Sequence, residues 1–457
     1  MPELDPLDLA RWAGGAWSAL PVHSLCGAAV DTRTLKPGEL FVALPGEQCD
    51  GHQHLEAAQK AGAGGALVRH GTTHPGFPLL RVDDPKTALT ALAAEHRARM
   101  PAFRVAITGS TGKTTVKEMV ADVLSTQAPT ARTRGNWNND LGLPLSLLTL
   151  EAQHQYGVFE VGMSHPGELD PLCALLQPAA SVITSVGPVH IEFFADEEAI
   201  AREKAVVAQA VPSGGAVVLP ADDRWFAVLR RDVKGRVITT SLRGPADYQA
   251  VLGTGLSFRV TERASAESFD FLAPLPGEFM VHDALLAIAL ARSEGLAWSA
   301  IAQAIAAYQP VGMRWRREAL GDVLVINDAY NANPMSMRAA LQAFAQTEVP
   351  GRRWLVLGSM REMGTHARSG HLDLGRAVAQ GEWAGLLALG SEGAWIAEGA
   401  RDAGWSAEQA VACGGPAEAA EWLESRVRTG DAVLLKASRG ERLERVVEAW
   451  RKRRGVS

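Results

Sequence analysis

The chain has 457 residues, about three times the length of a typical domain, so its length predicts three domains. Hydrophobic residues make up 47% and charged residues 21% of the sequence, as in ordinary globular proteins. A formal net charge of -6 gives no electrostatic basis for a nucleic-acid partner, and no apolar run approaches the ~20 residues that cross a bilayer. Four widely separated cysteines fit no zinc or redox spacing, which favours reduced thiols. We therefore expect a cytoplasmic protein that binds no nucleic acid and does not insert into a membrane. We also expect a monomer.

The first hundred residues contain short apolar runs separated by glycine and proline, a pattern that indicates short strands joined by turns. The predicted strands are Leu40–Leu44, Ala66–Arg69 and Leu79–Val82, and the predicted helices are Gln53–Ala61 and Pro85–Met100. The dipeptide Met100-Pro101 is a natural hinge, so we expect an N-terminal domain at 1–100.

From residue 103 to about 309, segments with strand and helix periodicity alternate, which predicts a largely parallel sheet covered by helices. Strands are predicted at Arg104–Thr108, Val158–Val161, Ser181–Val186 and Ala216–Leu219, and helices at Val116–Ser125, Ile200–Val211 and Asp283–Ser293. Residues 247–272 instead predict short antiparallel strands. We expect this central domain at 101–310.

A third alternating block runs from residue 323 to the end, with a helix after each strand. Its strands are predicted near Leu355–Leu357, Leu386–Leu389, Val411–Cys413 and Val433–Lys436. The block predicts a C-terminal domain at 311–457. The repeated alternation places the chain in the α/β class.

A glycine-rich turn joins the first strand of the central domain to a helix. Gly109 and Gly112 have no Cβ, so the backbone can turn tightly and point N–H groups at phosphate oxygens. At the positive end of the helix dipole, Lys113 can reach the β- and γ-phosphates and the Thr114 hydroxyl can reach Mg²⁺. A standard phosphate loop has glycine where this chain has Ile107, so this is the shorter GxxGKT form, and a plain glycine-rich turn is the alternative. The pattern predicts ATP binding by Gly109, Ser110, Thr111, Gly112, Lys113, Thr114 and Thr115.

Longer segments of the chain resemble one family. The run AITGSTGKTTVKEM at 106–119 resembles the Mur ligases of peptidoglycan synthesis. The likeness extends over all three predicted domains, through DTRTLKPGELFVALPGEQCDGH (31–52), GNWNNDLGLPLSLL (135–148), INDAYNANPMSMRAAL (326–341) and LLKASRG (434–440). Within the family, the segments at 135–148 and 326–341, together with EVGMSHPGEL at 160–169, favour the members that add D-alanyl-D-alanine to UDP-N-acetylmuramoyl-tripeptide. The resemblance implies an N-terminal UDP-substrate domain, a central P-loop ATPase domain and a Rossmann-like C-terminal domain.

The resemblance also implies a reaction. Family members form an amide bond from ATP through an acyl phosphate, so the expected product is the UDP-N-acetylmuramoyl-pentapeptide used in cell wall biogenesis, and Mg²⁺ is the expected metal. Cations around the transferred phosphoryl group suit such chemistry. By position, the expected catalytic residues are Lys113, His190, Lys204 and Arg314. The expected metal ligands are Thr114, Glu160, His190 and Lys204, the last one as a carbamate.

Other positions match residues that bind substrates in the family. Arg314, Asp328 and Asn331 match positions near ATP, and a planar guanidinium such as that of Arg314 suits phosphate. Asp283 lies in the segment expected near the adenine. Taken by themselves, a lone histidine such as His190 is usually structural, and a helix lysine such as Lys204 is usually solvated. The expected substrate-binding residues are Asn136, Asn138 and Asn139 near the metals and Asp31, Thr32 and Arg33 near the uridine.

One segment departs from the family pattern. The family has GxHNxxN before a helix, with the histidine and asparagine near the adenine, whereas this chain has GEFMVHD at 277–283. Asp283 can still accept a hydrogen bond and Phe279 can stack on a purine. Pro220 and Ser359 also replace an asparagine and an aspartate that are common in the family.

Two other functions stay open from the sequence. One is a different Mur-type ligase, although the DNPR motif typical of the diaminopimelate- or lysine-adding members is absent. The other is a nucleotide-binding regulatory protein that has kept the phosphate loop and lost ligation.

Overall fold

The structure is a computed structural model that describes residues 2–46 and 49–455. Its first sheet has five strands in the spatial order β1-β5-β4-β3-β2, all parallel except β1. The strands are β1 (Ala16–Trp17), β2 (Ala28–Ala29), β3 (Leu40–Val42), β4 (Gly65–Arg69) and β5 (Leu79–Val82), and the helices of this region are α1 (Pro6–Ala13), α2 (Leu55–Lys60) and α3 (Pro85–Arg99). The helix predicted at 53–61 is instead a 3₁₀ turn, Gly51–His54, followed by the short α2. The Asp50 side chain caps this turn by accepting from the His52 N–H.

The second sheet has nine strands in the order β14-β13-β12-β11-β10-β9-β6-β8-β7. Its strands are β6 (Phe103–Thr108), β7 (Thr130–Arg132), β8 (Tyr156–Glu160), β9 (Ala180–Ile183), β10 (Ala216–Pro220), β11 (Arg236–Ser241), β12 (Tyr248–Leu252), β13 (Ser257–Glu262) and β14 (Ser268–Leu272). Its helices are α4 (Lys113–Ser125), α5 (Gly142–Leu147), α6 (Leu169–Leu176), α7 (Glu197–Gln209), α8 (Phe226–Leu229), α9 (Glu278–Ser293) and α10 (Trp298–Ala307). The predicted antiparallel strands at 247–272 are confirmed as β12–β14.

The third sheet has six strands in the order β15-β16-β20-β17-β18-β19 and is parallel except for β15. Its strands are β15 (Arg316–Leu320), β16 (Val323–Asn327), β17 (Arg353–Gly358), β18 (Gly385–Leu389), β19 (Ala410–Cys413) and β20 (Ala432–Lys436). Its helices are α11 (Pro334–Gln346), α12 (Ala367–Ala379), α13 (Ala394–Asp402), α14 (Pro416–Arg426) and α15 (Glu444–Arg454). The predicted α/β class is confirmed.

The register of the second sheet sets the position of the site. Strand β6 lies between β8 and β9, with Ile107 opposite both Glu160 and Val182. The carboxyl ends of these three parallel strands therefore lie at one edge, which is where open α/β sheets bind ligands. The predicted strand 181–186 stops at Ile183, because the residues after it bond to the loop that follows β6 instead of extending the ladder.

The three sheets pack together. Helix α3 packs on α5 and α6, and leucines of the first sheet share a buried core with the second. Helix α11 packs against α9, which joins the third sheet to the second. The domain boundaries at 100/101 and 310/311 stay predictions. Within the described residues, no helix has the length and apolar character needed to cross a bilayer.

Candidate active site

A cleft of about 1350 Å³ opens between the second and third sheets. Most residues that the sequence predicts for the site line it. They are Ser110, Thr111, Gly112, Lys113, Thr114, Thr115, Asn136, Asn138, Asn139, Glu160, His190, Asp283, Arg314, Asp328 and Asn331. Residues separated by more than 200 positions therefore face one cavity.

The predicted phosphate loop connects β6 to α4. Gly109 and Gly112 have φ values of +153° and +80°, which residues with a Cβ rarely adopt. Space excludes a side chain as well, since a Cβ at Gly109 would clash with the Thr184 hydroxyl and one at Gly112 would lie 2.5 Å from the Asp283 carboxylate. The loop needs glycine at both positions.

Residues that follow β9 fix the phosphate loop. The Ser110 hydroxyl donates to the Gly187 carbonyl at 3.0 Å and accepts from the Gly187 N–H at 2.9 Å. The Thr111 N–H donates to the Ser185 hydroxyl at 3.1 Å. These bonds hold the loop in one conformation before any ligand arrives. Sequence reasoning missed Ser185, because only the strand order reveals that β9 neighbours β6.

Lys113 is held at the start of α4, where its ammonium donates to the Gly109 carbonyl at 2.8 Å. Burial lowers the pKa of Lys113, the Glu160 carboxylate opposes that shift, and the Arg314 charge adds to it. Two cations that repel each other in this way are suited to an anion placed between them. A phosphate group would relieve the repulsion.

Glu160 ends β8 and is only 2% exposed. Its carboxylate accepts from the Thr114 hydroxyl at 2.7 Å and from the Asn138 amide at 2.7 Å, and its N–H donates to the Thr133 hydroxyl at 3.1 Å. A buried carboxylate beside a hydroxyl offers the hard oxygen atoms that Mg²⁺ prefers. Among the described residues, no three His, Cys, Asp or Glu side chains form a metal cluster, so a cation here would need other ligands as well.

Lys117 is a second residue that sequence reasoning missed. Its side chain is completely buried and its ammonium donates to the Thr133 carbonyl at 2.8 Å and lies 2.7 Å from the Glu118 carboxylate. It therefore ties α4 to the segment that leads into the asparagine loop at 136–139. No sequence signal marks Lys117, since helical periodicity alone does not show which lysine faces inward.

Lys204 is 2% exposed and lies outside the lining of the cleft. Burial lowers its pKa well below the ordinary value, and the charge of nearby Lys113 lowers it further. No described residue pairs with its ammonium. The surroundings therefore favour a neutral amine, unlike the solvated charge typical of a helix lysine.

His190 begins a 3₁₀ turn, Ile191–Phe193, with a left-handed backbone. Its Nδ1 lies 2.6 Å from Oε2 of Glu362, in the loop after β17. The Nδ1–H bond of His190 does not point at Oε2 closely enough for a good hydrogen bond. Because two lone pairs would repel each other at this distance, we infer that a proton lies between Nδ1 and Oε2. The contact with His190 lowers the pKa of Glu362.

The opposite wall of the cleft belongs to the third sheet. The Arg314 guanidinium lies 3.7 Å from the ring centre of Tyr330, which holds it facing the cleft. The Lys436 ammonium donates to the Asp328 carboxylate at 2.6 Å and to the Asn331 carbonyl at 3.1 Å. Lys436 was not predicted, since it is 108 positions from its partner.

The segment that departs from the family pattern lines the same cleft. Asp283 is 5% exposed and burial raises its pKa, while Phe279 is half-buried. Glu278 pairs with Arg243 at 2.9 Å. This wall thus offers an aromatic face and a buried carboxyl group where the sequence pattern of the family has His and Asn.

The predicted uridine residues lie elsewhere. Asp31 and Arg33 pair with each other at 2.6 Å on the first sheet, and neither they nor Thr32 line the cleft. The Arg33 contact lowers the pKa of Asp31. A substrate that reached both places would have to extend from one sheet to the next.

Comparison with known proteins identifies the class. Residues 107–291 match the family model of the Mur ligase middle domain, and residues 313–439 match that of the Mur ligase glutamate ligase domain. The UDP-N-acetylmuramoyl-tripeptide–D-alanyl-D-alanine ligase of Escherichia coli strain K12 is 35% identical over 374 residues, which cover 81% of this chain and 82% of the relative. The chain belongs to the Mur ligase family, as the sequence motifs predict, and is an ATP-dependent ligase that forms amide bonds.

Solved structures agree with this assignment. MurF from Acinetobacter baumannii has a TM-score of 0.87 and 29% identity, and the match covers 99% of this chain and 100% of that one. The MurF ligase from Thermotoga maritima, solved in complex with ADP, has a TM-score of 0.77 and 26% identity over 93% of this chain and 97% of that one. The similarity thus extends through all three sheets.

Proposed function

We propose that this chain joins D-alanyl-D-alanine to UDP-N-acetylmuramoyl-tripeptide with cleavage of ATP to ADP and phosphate, forming the pentapeptide precursor of peptidoglycan. The observation that carries the proposal is the convergence of Lys113, Glu160 and Arg314 on one cleft from both sheets. Because both substrates of the first step are nucleotides found in the cytoplasm, we place the reaction there. We also propose three domains with boundaries at 100/101 and 310/311.

In the first step, an oxygen of the tripeptide carboxylate attacks the γ-phosphorus of ATP, the bond to the β-phosphate oxygen breaks, and ADP leaves. Lys113 and Arg314 flank the transferred group and stabilise its negative charge. In the second step, the D-alanyl-D-alanine amine attacks the acyl carbon, phosphate leaves and the amine loses a proton. The rigid phosphate loop supplies fixed N–H donors throughout.

Mg²⁺ fits the oxygen donors of Thr114 and Glu160, with His190 on the same cleft. When bound, it would neutralise charge on the phosphate oxygens. Asn138 holds the Glu160 carboxylate in place through its amide. We assign Asn136 and Asn139, which flank it in the lining, to substrate contacts.

Lys204 has the surroundings needed for carbamate formation. A neutral amine attacks CO₂, and loss of one proton leaves an anionic carbamate. In that form the side chain would place a negative group beside Lys113, where a charged ammonium would be repelled. We propose this modified form as a further metal ligand.

The remaining assignments concern binding. We assign Asp283, Asp328 and Asn331 to the nucleotide, and Asp31, Thr32 and Arg33 to the uridine end of the substrate. The positions of the latter three outside the cleft suit a long substrate whose peptide end alone reaches the metal site.

The test is incubation of the purified chain with ATP, Mg²⁺, D-alanyl-D-alanine and UDP-N-acetylmuramoyl-tripeptide carrying either diaminopimelate or lysine. We expect phosphate release together with a product heavier by the dipeptide minus water. A parallel mixture offers UDP-N-acetylmuramoyl-dipeptide with diaminopimelate or lysine, and product formation only there would favour another Mur-type ligase. ATP binding without phosphate release in any mixture would favour a regulatory protein and reject the proposal.

A further inference from the structure

Two loops from different sheets meet at the edge of the cleft. One is the turn at 190–194 after β9, and the other is the segment 362–366 after β17. The Glu192 N–H donates to the Glu362 carbonyl at 3.3 Å, and a Cβ at Gly364 would lie 3.2 Å from the Glu192 Cα. The loops are therefore in direct backbone contact.

The two residues that face each other in this contact have unusual backbones. His190 has a φ of +59° and Glu362 one of +61°. Residues with a Cβ adopt this region only where their surroundings impose it, and such strain clusters at functional sites. The side chains of these two residues meet, with Nδ1 of His190 and Oε2 of Glu362 lying 2.6 Å apart.

The other ring nitrogen of His190 has a different environment. No described residue bonds to Nε2, and the imidazole lines the cleft together with Thr114 and Glu160. A carboxylate near Nδ1 retains the proton there and leaves the Nε2 lone pair free, which is the tautomer that binds a metal.

We propose that Glu362 is a positioning residue that orients His190 for metal binding, so that the metal site is complete only when the third sheet lies against the second. The proposal rests on the proposed function, which assigns His190 to the metal. Thr114 and Glu160 belong to the second sheet, whereas Glu362 belongs to the third. Any movement that separates the loops would therefore weaken the site.

The test is the affinity of the full chain for Mn²⁺, measured from the loss of the free-ion electron paramagnetic resonance signal. We expect Glu362→Gln to raise the Kd for Mn²⁺ about tenfold, because loss of a carboxylate partner of a metal-binding histidine has effects of this size. The matched control is Glu192→Gln, which removes the same charge from the same loop contact without touching His190, and we expect a Kd within about twofold of wild type. The thermal midpoint should stay near that of wild type in both variants.

A double-mutant cycle separates orientation from general charge loss. If Glu362 acts through His190, the variant with both Glu362→Gln and His190→Ala binds Mn²⁺ no more weakly than His190→Ala alone. The proposal is overturned if Glu362→Gln binds Mn²⁺ as tightly as wild type, or if Glu192→Gln raises the Kd for Mn²⁺ equally. It is also overturned if the effects of Glu362→Gln and His190→Ala on this Kd multiply in the double variant. Pentapeptide formation by wild type alongside one of these results rejects this inference alone, whereas absence of the product rejects the proposed function.

Discussion

The phosphate loop at 109–115 and the segment at 277–283 line the same cleft, yet they differ in what fixes them. The loop is held by backbone and hydroxyl bonds to the residues after β9, and its two glycines have no room for a Cβ. The other segment presents side chains, Phe279 and Asp283 among them, and departs from the family pattern. Backbone geometry at a phosphate site restricts the residue type, whereas a flat base can be held by several kinds of side chain. The two regions should therefore respond differently to mutation.

The largest effect is expected in the loop. Lys113→Ala should reduce phosphate release about 10³-fold, because a fixed cation at the transferred group is lost. The Kd for the UDP-linked tripeptide, measured by calorimetry, should stay within about threefold, since its uridine end is assigned to another sheet. Lys234→Ala, at an exposed lysine, is the control. Equal losses of both properties would contradict the division between the two sites.

A second large effect is expected at Lys204, which lies near Lys113 of the loop. Lys204→Gln should lower the ligation rate about 10²-fold, and wild type supplied with ¹³C-bicarbonate should show a carbamate resonance that this variant lacks. The lowered pKa of Lys204 favours the neutral amine that reacts with CO₂. Lys117, equally buried but bonded to the Thr133 carbonyl, should form no carbamate, so Lys117→Met should keep the resonance. A signal that persists in Lys204→Gln would reject the assignment.

A moderate effect is expected in the segment at 277–283. Phe279→Ala should raise the Kd for ATP about tenfold through loss of stacking on the base. Tripolyphosphate, which has no base, should bind both proteins alike, and this comparison serves as the control in calorimetry. If both ligands lose affinity equally, Phe279 acts on the loop instead of the base, and the contrast between the regions fails.

The smallest effect concerns stability. Burial raises the pKa of Asp283, so the folded state disfavours the carboxylate. This penalty is absent well below pH 3.8, where the group is protonated in both the folded and the unfolded chain, and it grows as the pH rises from there through the folded pKa. Asp283→Asn should therefore raise Tm by roughly 2 °C at pH 7.5 and by less toward pH 4. Asp402→Asn, at an exposed aspartate, should show neither change, and a difference that grows toward pH 4 would contradict the assignment.

Much of the fold follows from local patterns. The apolar runs correctly predict strands in each of the three sheets, because period-two and period-3.6 patterns report burial within one element. The strands β1, β2, β7, β11, β15 and β16 were not predicted. The antiparallel strands β12–β14 were predicted for the same reason. The strand predicted to reach Val186 was too long, since an apolar run does not show that Thr184–Gly187 bonds to a loop 75 residues away.

The residues of the candidate site likewise divide into those that local patterns predict and those that only the folded structure brings together. By itself, the sequence determined the phosphate loop, since glycine, lysine and threonine at fixed spacing act within one strand–turn–helix unit. Only the tertiary structure decided that Lys204 is buried beside Lys113, that Lys436 pairs with Asp328, and that Glu362 meets His190. Those contacts join segments more than 90 positions apart, and their distances depend on strand order and sheet packing, which no local spacing encodes.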